Sequence, residues 1–111
     1  TDVYLRFLDR CLAAGITLPI VPGIMPVSNF ASVKRFSAMC GASVPAWLEK
    51  LFEGLEEDEA TRRMVAATVA AEQVRILQAN GVDEFHFYTL NRSDLTYAIA
   101  HILGARPVAA V

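Results

Sequence analysis

Apolar residues recur at helical spacing in four to five stretches of the chain and run nearly unbroken in two others, a pattern that predicts α/β structure. Between Val3 and Ala14, Tyr4, Leu8, Cys11 and Leu12 fall on one side and Arg6, Asp9 and Arg10 on the other, with Gly15 as the stop. Ser28 or Asn29 is a good N-cap for a helix from Phe30 to Cys40, in which Phe30, Val33, Phe36 and Cys40 share a face, and Gly41 ends it. Pro45 suits the first turn of a shorter helix carrying Trp47, Leu48, Leu51 and Phe52. A long helix then follows the acidic run Glu56 to Glu59. Its apolar stripe is Val65, Val69 and Ile76, with Ala66, Ala70, Val74 and Leu77 beside them, small enough to lie close on a sheet. Asn80-Gly81 closes it. Leu95, Ala98, Ile99, Ile102 and Leu103 line one face of a last helix that stops at Gly104, before Pro107 and a loosely ordered Ala-rich tail.

The two unbroken runs read as strands. Leu18 to Val21 contains Pro19, which belongs at a strand start or edge, and Pro22-Gly23 ends it. Phe85 to Leu90 is the second; alternation sets His86, Tyr88 and Leu90 on one face, inside a barrel, and Phe85, Phe87 and Thr89 towards the helices. Helices between strands imply parallel pairing, and two parallel strands leave outer edges that need further strands. In α/β barrels chemistry gathers at the C-terminal ends of strands, here the segments after Val21 and after Leu90. Neither is glycine-rich, which disfavours a phosphate cradle. They suit an extended, partly aromatic ligand, with the planar fork of Arg92 available to a carboxylate.

Composition sharpens this. With 111 residues the chain supports one domain; 54% of them are hydrophobic and the mean hydropathy is +0.36, above the roughly 45–50% of an ordinary soluble domain. The surplus, together with the absence of an initiator Met, is expected of part of a larger unit. No run reaches membrane-span length and no signal-peptide pattern opens the chain, so a cytoplasmic protein without membrane association is expected. A net charge of −2, with charges dispersed, gives no footprint for nucleic acid. Cys11 and Cys40 read as buried apolar-like thiols, with no zinc spacing. The acidic run is a solvated helix start, with Arg62 and Arg63 as i+4 partners, and no metal site is expected.

Three separated strings carry a specific likeness: Ile20-Val-Pro-Gly-Ile-Met-Pro-Val-Ser-Asn-Phe30, Val44-Pro-Ala-Trp47 and Phe85-His-Phe-Tyr-Thr-Leu-Asn-Arg92. They closely resemble, in the right order and over essentially the whole chain, the C-terminal part of the methylenetetrahydrofolate reductase family. The resemblance implies that residues 1–111 are a single partial domain, the C-terminal portion of a (βα)8 TIM barrel with its seventh and eighth strands, preceded by roughly 180 further residues. It also implies a reaction in which NADH or NADPH reduces FAD, and the reduced flavin converts methylenetetrahydrofolate to methyltetrahydrofolate. The family's catalytic acids and nearly all its FAD contacts lie upstream, so no catalytic residue is expected here and the isolated segment is expected to be inactive.

Carried over by position, Phe36 matches an aromatic near the shared folate and nicotinamide site, and Leu90 and Arg92 match strand-end positions on the folate side. Ser32 stands where the bacterial pattern has a Gln that contacts folate; its shorter side chain suits a water-mediated contact. On the residues alone, Phe36 reads as core, Arg92 as a solvated strand-end cation and His86 as a structural, hydrogen-bonded histidine; His101 reads as exposed. The expected partners are a folate substrate, the remainder of the barrel and, in the full-length form, further copies of itself. The rival readings are a self-standing α/β or mostly helical interaction module without catalysis, and another barrel enzyme. The latter leaves the three strings unexplained.

Overall fold

The order of elements in the computed structural model, which describes residues 1–108, is α1 (Asp2–Ala13), β1 (Gly23–Ile24), α2 (Phe30–Met39), α3 (Ala46–Phe52), α4 (Glu59–Ala79), β2 (His86–Phe87) and α5 (Ser93–Ile102). β1 and β2 pair in parallel, with Gly23 opposite His86 and Ile24 opposite Phe87. Parallel pairing requires a long return path, and α2, α3 and α4 supply it. The helices end where the sequence says. All five described helices are followed by a glycine with positive φ, and at Gly81 the reason is visible: the Val82 N–H reaches back to the Leu77 carbonyl at 3.0 Å, and both side chains are buried.

The core lies between the strand pair and α4 with α5. Ile24 from β1 meets Ala66, Ala67, Ala70, Val74 and Leu77 of α4 and Leu95 and Ile99 of α5, while Phe85 and Phe87 pack partly buried against the same cluster. Burying a side chain such as Ile99 stabilises the fold by about 1.5–3 kcal/mol. Tyr4, Leu5 and Leu8 bring α1 onto this cluster, and Phe30, stacked on Phe52 with ring centroids 6.1 Å apart, joins α2 to α3.

Several expectations need correction. The first strand lies later than the apolar run: Leu18 and Val21 are exposed, and the pairing is flanked by the His86 N–H on the Pro22 carbonyl and the Tyr88 N–H on the Ile24 carbonyl. Pro19 offers no donor, which weakens Leu18 to Val21 as a ladder, and Gly23 belongs to the strand instead of ending it. The second strand is confined to the centre of Phe85–Leu90. The α4 stripe is turned towards its alanines: the short side chains let α5 approach, and Ile76 is left outside. Leu12, Ala98 and Ile102 are likewise exposed, as are Phe36 and Cys40 at the uncovered end of α2, whereas Cys11 is buried as expected. Arg62 bonds the carbonyls of Leu55 and Glu56 in place of an i+4 carboxylate, while Arg63 does reach Glu59, at 4.0 Å. The tail after Pro107 falls, beyond Val108, outside the described residues.

The chain is flat and open. Its principal extents are 48 × 47 × 23 Å and its radius of gyration is 15.5 Å, against about 13 Å for a closed domain of this length. Its accessible surface is 7968 Å², where a folded monomer of this mass exposes about 6,000 Å². The excess is apolar in character: Val3, Phe7, Leu18, Met39, Trp47 and Tyr97 are all exposed. Among the described residues no helix is long and apolar enough to cross a membrane.

Candidate functional site

Each strand runs directly into a constrained loop at its C-terminal end. After β1, Pro26 and Val27 are buried, the Ser28 N–H turns back to the Pro26 carbonyl at 3.0 Å, and the Asn29 side chain caps α2 by accepting the Ser32 N–H at 3.1 Å. Upstream of the strand, the Tyr4 hydroxyl donates to the Ile20 carbonyl and holds the approach segment on α1. Burial, with a smaller push from Cys11, raises the Tyr4 pKa, so the phenol remains a donor.

After β2 the chain makes a tight turn from Thr89 to Arg92. Leu90 and Asn91 both have positive φ, +49° and +62°, and the Arg92 N–H bonds the Thr89 carbonyl at 2.8 Å. This is the pattern of a type I′ turn, which Asn accepts and Leu does not favour. α5 starts at once. In its first turn Asp94 accepts the Leu95 N–H at 2.9 Å and forms an ion pair with Arg63 of α4. Leu95 is buried. The turn is therefore fixed by a strand on one side and by a docked helix on the other.

The two loops meet. Pro26 and Ser28 from the first line one small cleft with Tyr88, Leu90 and Arg92 from the second. The cleft holds about 10 Å³, roughly the space of one water molecule. The Thr96 hydroxyl, buried beside it without a hydrogen-bond partner, is the group such a water would serve. Of the four residues nominated from the sequence, Leu90 and Arg92 are thus brought together at the strand ends. Ser32 and Phe36 are not. They lie one turn apart on an exposed face of α2, outside the cleft, and the Ser32 hydroxyl accepts from Arg35 at 3.4 Å. His101 is exposed as expected. His86, expected as a structural, hydrogen-bonded histidine, is instead exposed with Tyr88 and Leu90 on the sheet face away from the helices. His86 touches the Tyr88 ring edge-on, with centroids 5.0 Å apart.

Sequence reasoning missed Gly23. It took the residue as a stop, although a glycine inside a strand is itself a signal that another group approaches the backbone closely. A Cβ at position 23 would stand 2.5 Å from Tyr88 Cε2 and 3.0 Å from its hydroxyl.

A wider concavity, about 670 Å³, lies elsewhere, between α2, α3 and the start of α4. It carries none of the nominated residues. Glu49, Glu53 and Glu56 share it with Lys50 and Arg62, and Arg62 is engaged with backbone carbonyls, so its polar groups do not converge on one ligand. Among the described residues no group of three or more His, Cys, Asp or Glu could hold a metal ion.

Comparison with known proteins follows the same lines. The family model described as methylenetetrahydrofolate reductase matches residues 1–104. The 5,10-methylenetetrahydrofolate reductase of Escherichia coli (strain K12) is 53% identical over 106 residues, covering 96% of this chain and 36% of the relative. That of Pectobacterium carotovorum subsp. carotovorum is 54% identical over the same length and shares, and that of Buchnera aphidicola subsp. Acyrthosiphon pisum is 48% identical over 103 residues, 93% of this chain and 35% of the relative. The chain thus spans little more than a third of the length of these curated relatives.

Proposed function

We propose that this chain, which belongs to the methylenetetrahydrofolate reductase family, closes the folate side of the mouth of a (βα)8 barrel, with β1 and β2 as its seventh and eighth strands. The activity proposed for the complete polypeptide is reduction of methylenetetrahydrofolate to methyltetrahydrofolate, FAD supplying the hydride-transfer chemistry and NADH or NADPH the electrons. The observation that carries the reading is the meeting of two parallel strand ends in one cleft, with Leu90 and Arg92 at its rim. Arg92 suits the carboxylate of a folate, Leu90 its apolar body. Phe36 and Ser32 take part if a ligand reaches across from the strand ends to the exposed face of α2.

The residues present do not by themselves fit FAD. Neither strand-end loop presents the glycine-rich backbone that approaches a phosphate closely. No step through the flavin is assigned to this chain. Its own residues bind and orient the folate, and without the rest of the barrel it is inactive. The open surface and unpaired sheet edges support the same view.

The test is expression of residues 1–111 beside the complete polypeptide. The complete polypeptide is expected to purify with the yellow absorbance of flavin and to reduce methylenetetrahydrofolate; residues 1–111 are expected to be colourless, self-associating and inactive. A colourless complete polypeptide, or a monomeric and well-folded 1–111 product, would overturn the proposal in favour of a self-standing interaction module.

A further inference from the structure

A glycine inside a strand costs conformational entropy, so its presence asks for a cause. At Gly23 the cause is Tyr88. The register puts Gly23 opposite His86 and Ile24 opposite Phe87; Ile24 and Phe87 face the helices, which leaves Gly23, His86 and Tyr88 on the open face of the sheet. There the Tyr88 side chain lies back across the neighbouring strand, with Cε2, Cζ and the hydroxyl 2.5, 3.1 and 3.0 Å from where a Cβ of residue 23 would be. No side chain other than hydrogen leaves room for the ring in this position. His86 meets it edge-on from the side, and the Tyr88 N–H is tied to the Ile24 carbonyl at 2.9 Å. Yet Tyr88 remains 50% exposed. A tyrosine held on three sides and open on the fourth, two residues before the Leu90 turn and lining the same cleft as Arg92, is a prepared contact surface.

We propose that Gly23 and Tyr88 form one specificity device, in which the bare backbone of Gly23 seats the Tyr88 phenol so that it meets the planar heteroaromatic ring of the substrate beside Leu90 and Arg92. The inference rests on the folate-side reading of the strand ends. Tyr88 is the contact residue and Gly23 a positioning residue that acts through it. Because the conflict created by a side chain at 23 is with the far end of a rotatable ring, Gly23→Ala displaces the phenol and leaves the ladder and core in place.

The experiment measures steady-state and half-reaction kinetics of the complete polypeptide carrying Gly23→Ala, Tyr88→Leu, Tyr88→Phe, Arg92→Ala and the double variant Gly23→Ala/Tyr88→Leu, with flavin content and melting temperature as controls. Gly23→Ala and Tyr88→Leu are each expected to raise KM for methylenetetrahydrofolate about three- to ten-fold, the range of one aromatic contact, with flavin content kept. Tyr88→Phe, which retains the ring, is expected to bring KM back to within about two-fold of the parent. The double variant is expected to be no worse than Tyr88→Leu, since alanine at 23 does harm only through the ring. An unchanged KM in Gly23→Ala or in Tyr88→Leu, or a double variant showing the full product of the two single effects, would overturn the inference. If Arg92→Ala raises KM while the other two do not, the seat alone fails and the folate-side reading stands. If none of them raises it, both fail together.

Discussion

Arg92 donates its backbone N–H to the carbonyl of Thr89 at 2.8 Å, and in doing so holds Leu90 in a backbone region that leucine seldom visits, with φ at +49°. A strained residue between a strand and a docked helix is a sign of use, because the strain survives only where the surroundings enforce it. Leu90→Gly should therefore stabilise the complete polypeptide by up to about 1 kcal/mol by relieving the turn and, on the proposed function, raise KM for the folate substrate through loss of the apolar side chain. Thermal unfolding and kinetics on one preparation check both halves, and a loss of stability would show that the leucine side chain, 69% exposed here, is held by packing elsewhere in the molecule.

Arg92 itself is exposed at the start of α5, with no core role to lose. On the proposed function, Arg92→Ala is expected to weaken folate binding about ten-fold, the magnitude of one charge-assisted hydrogen bond, and to leave flavin reduction by NADH nearly intact. Stopped-flow measurement of the two half-reactions separates these effects. Equal damage to both would remove Arg92 from the folate side.

Much of this was legible from residue types alone. The helix stops at Gly15, Gly41, Gly81 and Gly104 and the cap at Asn29 are local chemistry, and they lie where the sequence puts them. What failed was decided by neighbours, although the parallel pairing itself was expected and is found. Pro22 and Gly23 look like the end of a strand by themselves, yet β2 pairs through the Pro22 carbonyl and accepts Gly23 because Tyr88 needs the space. Phe36 and Cys40 have the periodicity of a core face, but among the described residues no element covers that end of α2. At the candidate site Leu90 and Arg92 were visible as a strand end. The meeting of that end with Pro26 and Ser28 depends on a pairing across some sixty residues, which no local pattern encodes.

Along α4, Ala66 and Ala70 are at most 1% exposed against the core that α5 shares. There is no room for branches. Ala70→Val is expected to cost about 1–3 kcal/mol by overpacking, and Ile99→Ala about 2–5 kcal/mol by leaving a cavity. Chemical denaturation of the complete polypeptide gives both values, and a neutral Ala70→Val would mean that the helices can separate at no cost.

Asp58 caps α4. The Thr61 hydroxyl at 2.7 Å and then the Thr61 amide at 3.0 Å hold its carboxyl below the usual carboxylate value, Arg62 adding to the effect and slight desolvation opposing it. A native pKa below the unfolded one gives stability that is complete above the unfolded value and is lost as pH falls through the native value. The wild type should thus melt above Asp58→Asn at neutral pH, and the gap should close in steps below about pH 4. A gap independent of pH would assign the difference to hydrogen-bond geometry and not to charge.

The pairing of residues 23–24 with 86–87 has a consequence for the order of events during folding. Contacts between α4 and α5 span short stretches of chain and form early, whereas the two-residue ladder must close a loop of some sixty residues and has few bonds with which to do so. The ladder is therefore expected to be the last element to form and the first to open. Amide exchange at His86 and Tyr88 should accordingly be faster than at Val74 or Leu77, and any condition that loosens the molecule dissolves the strand-end cleft while the helices still stand.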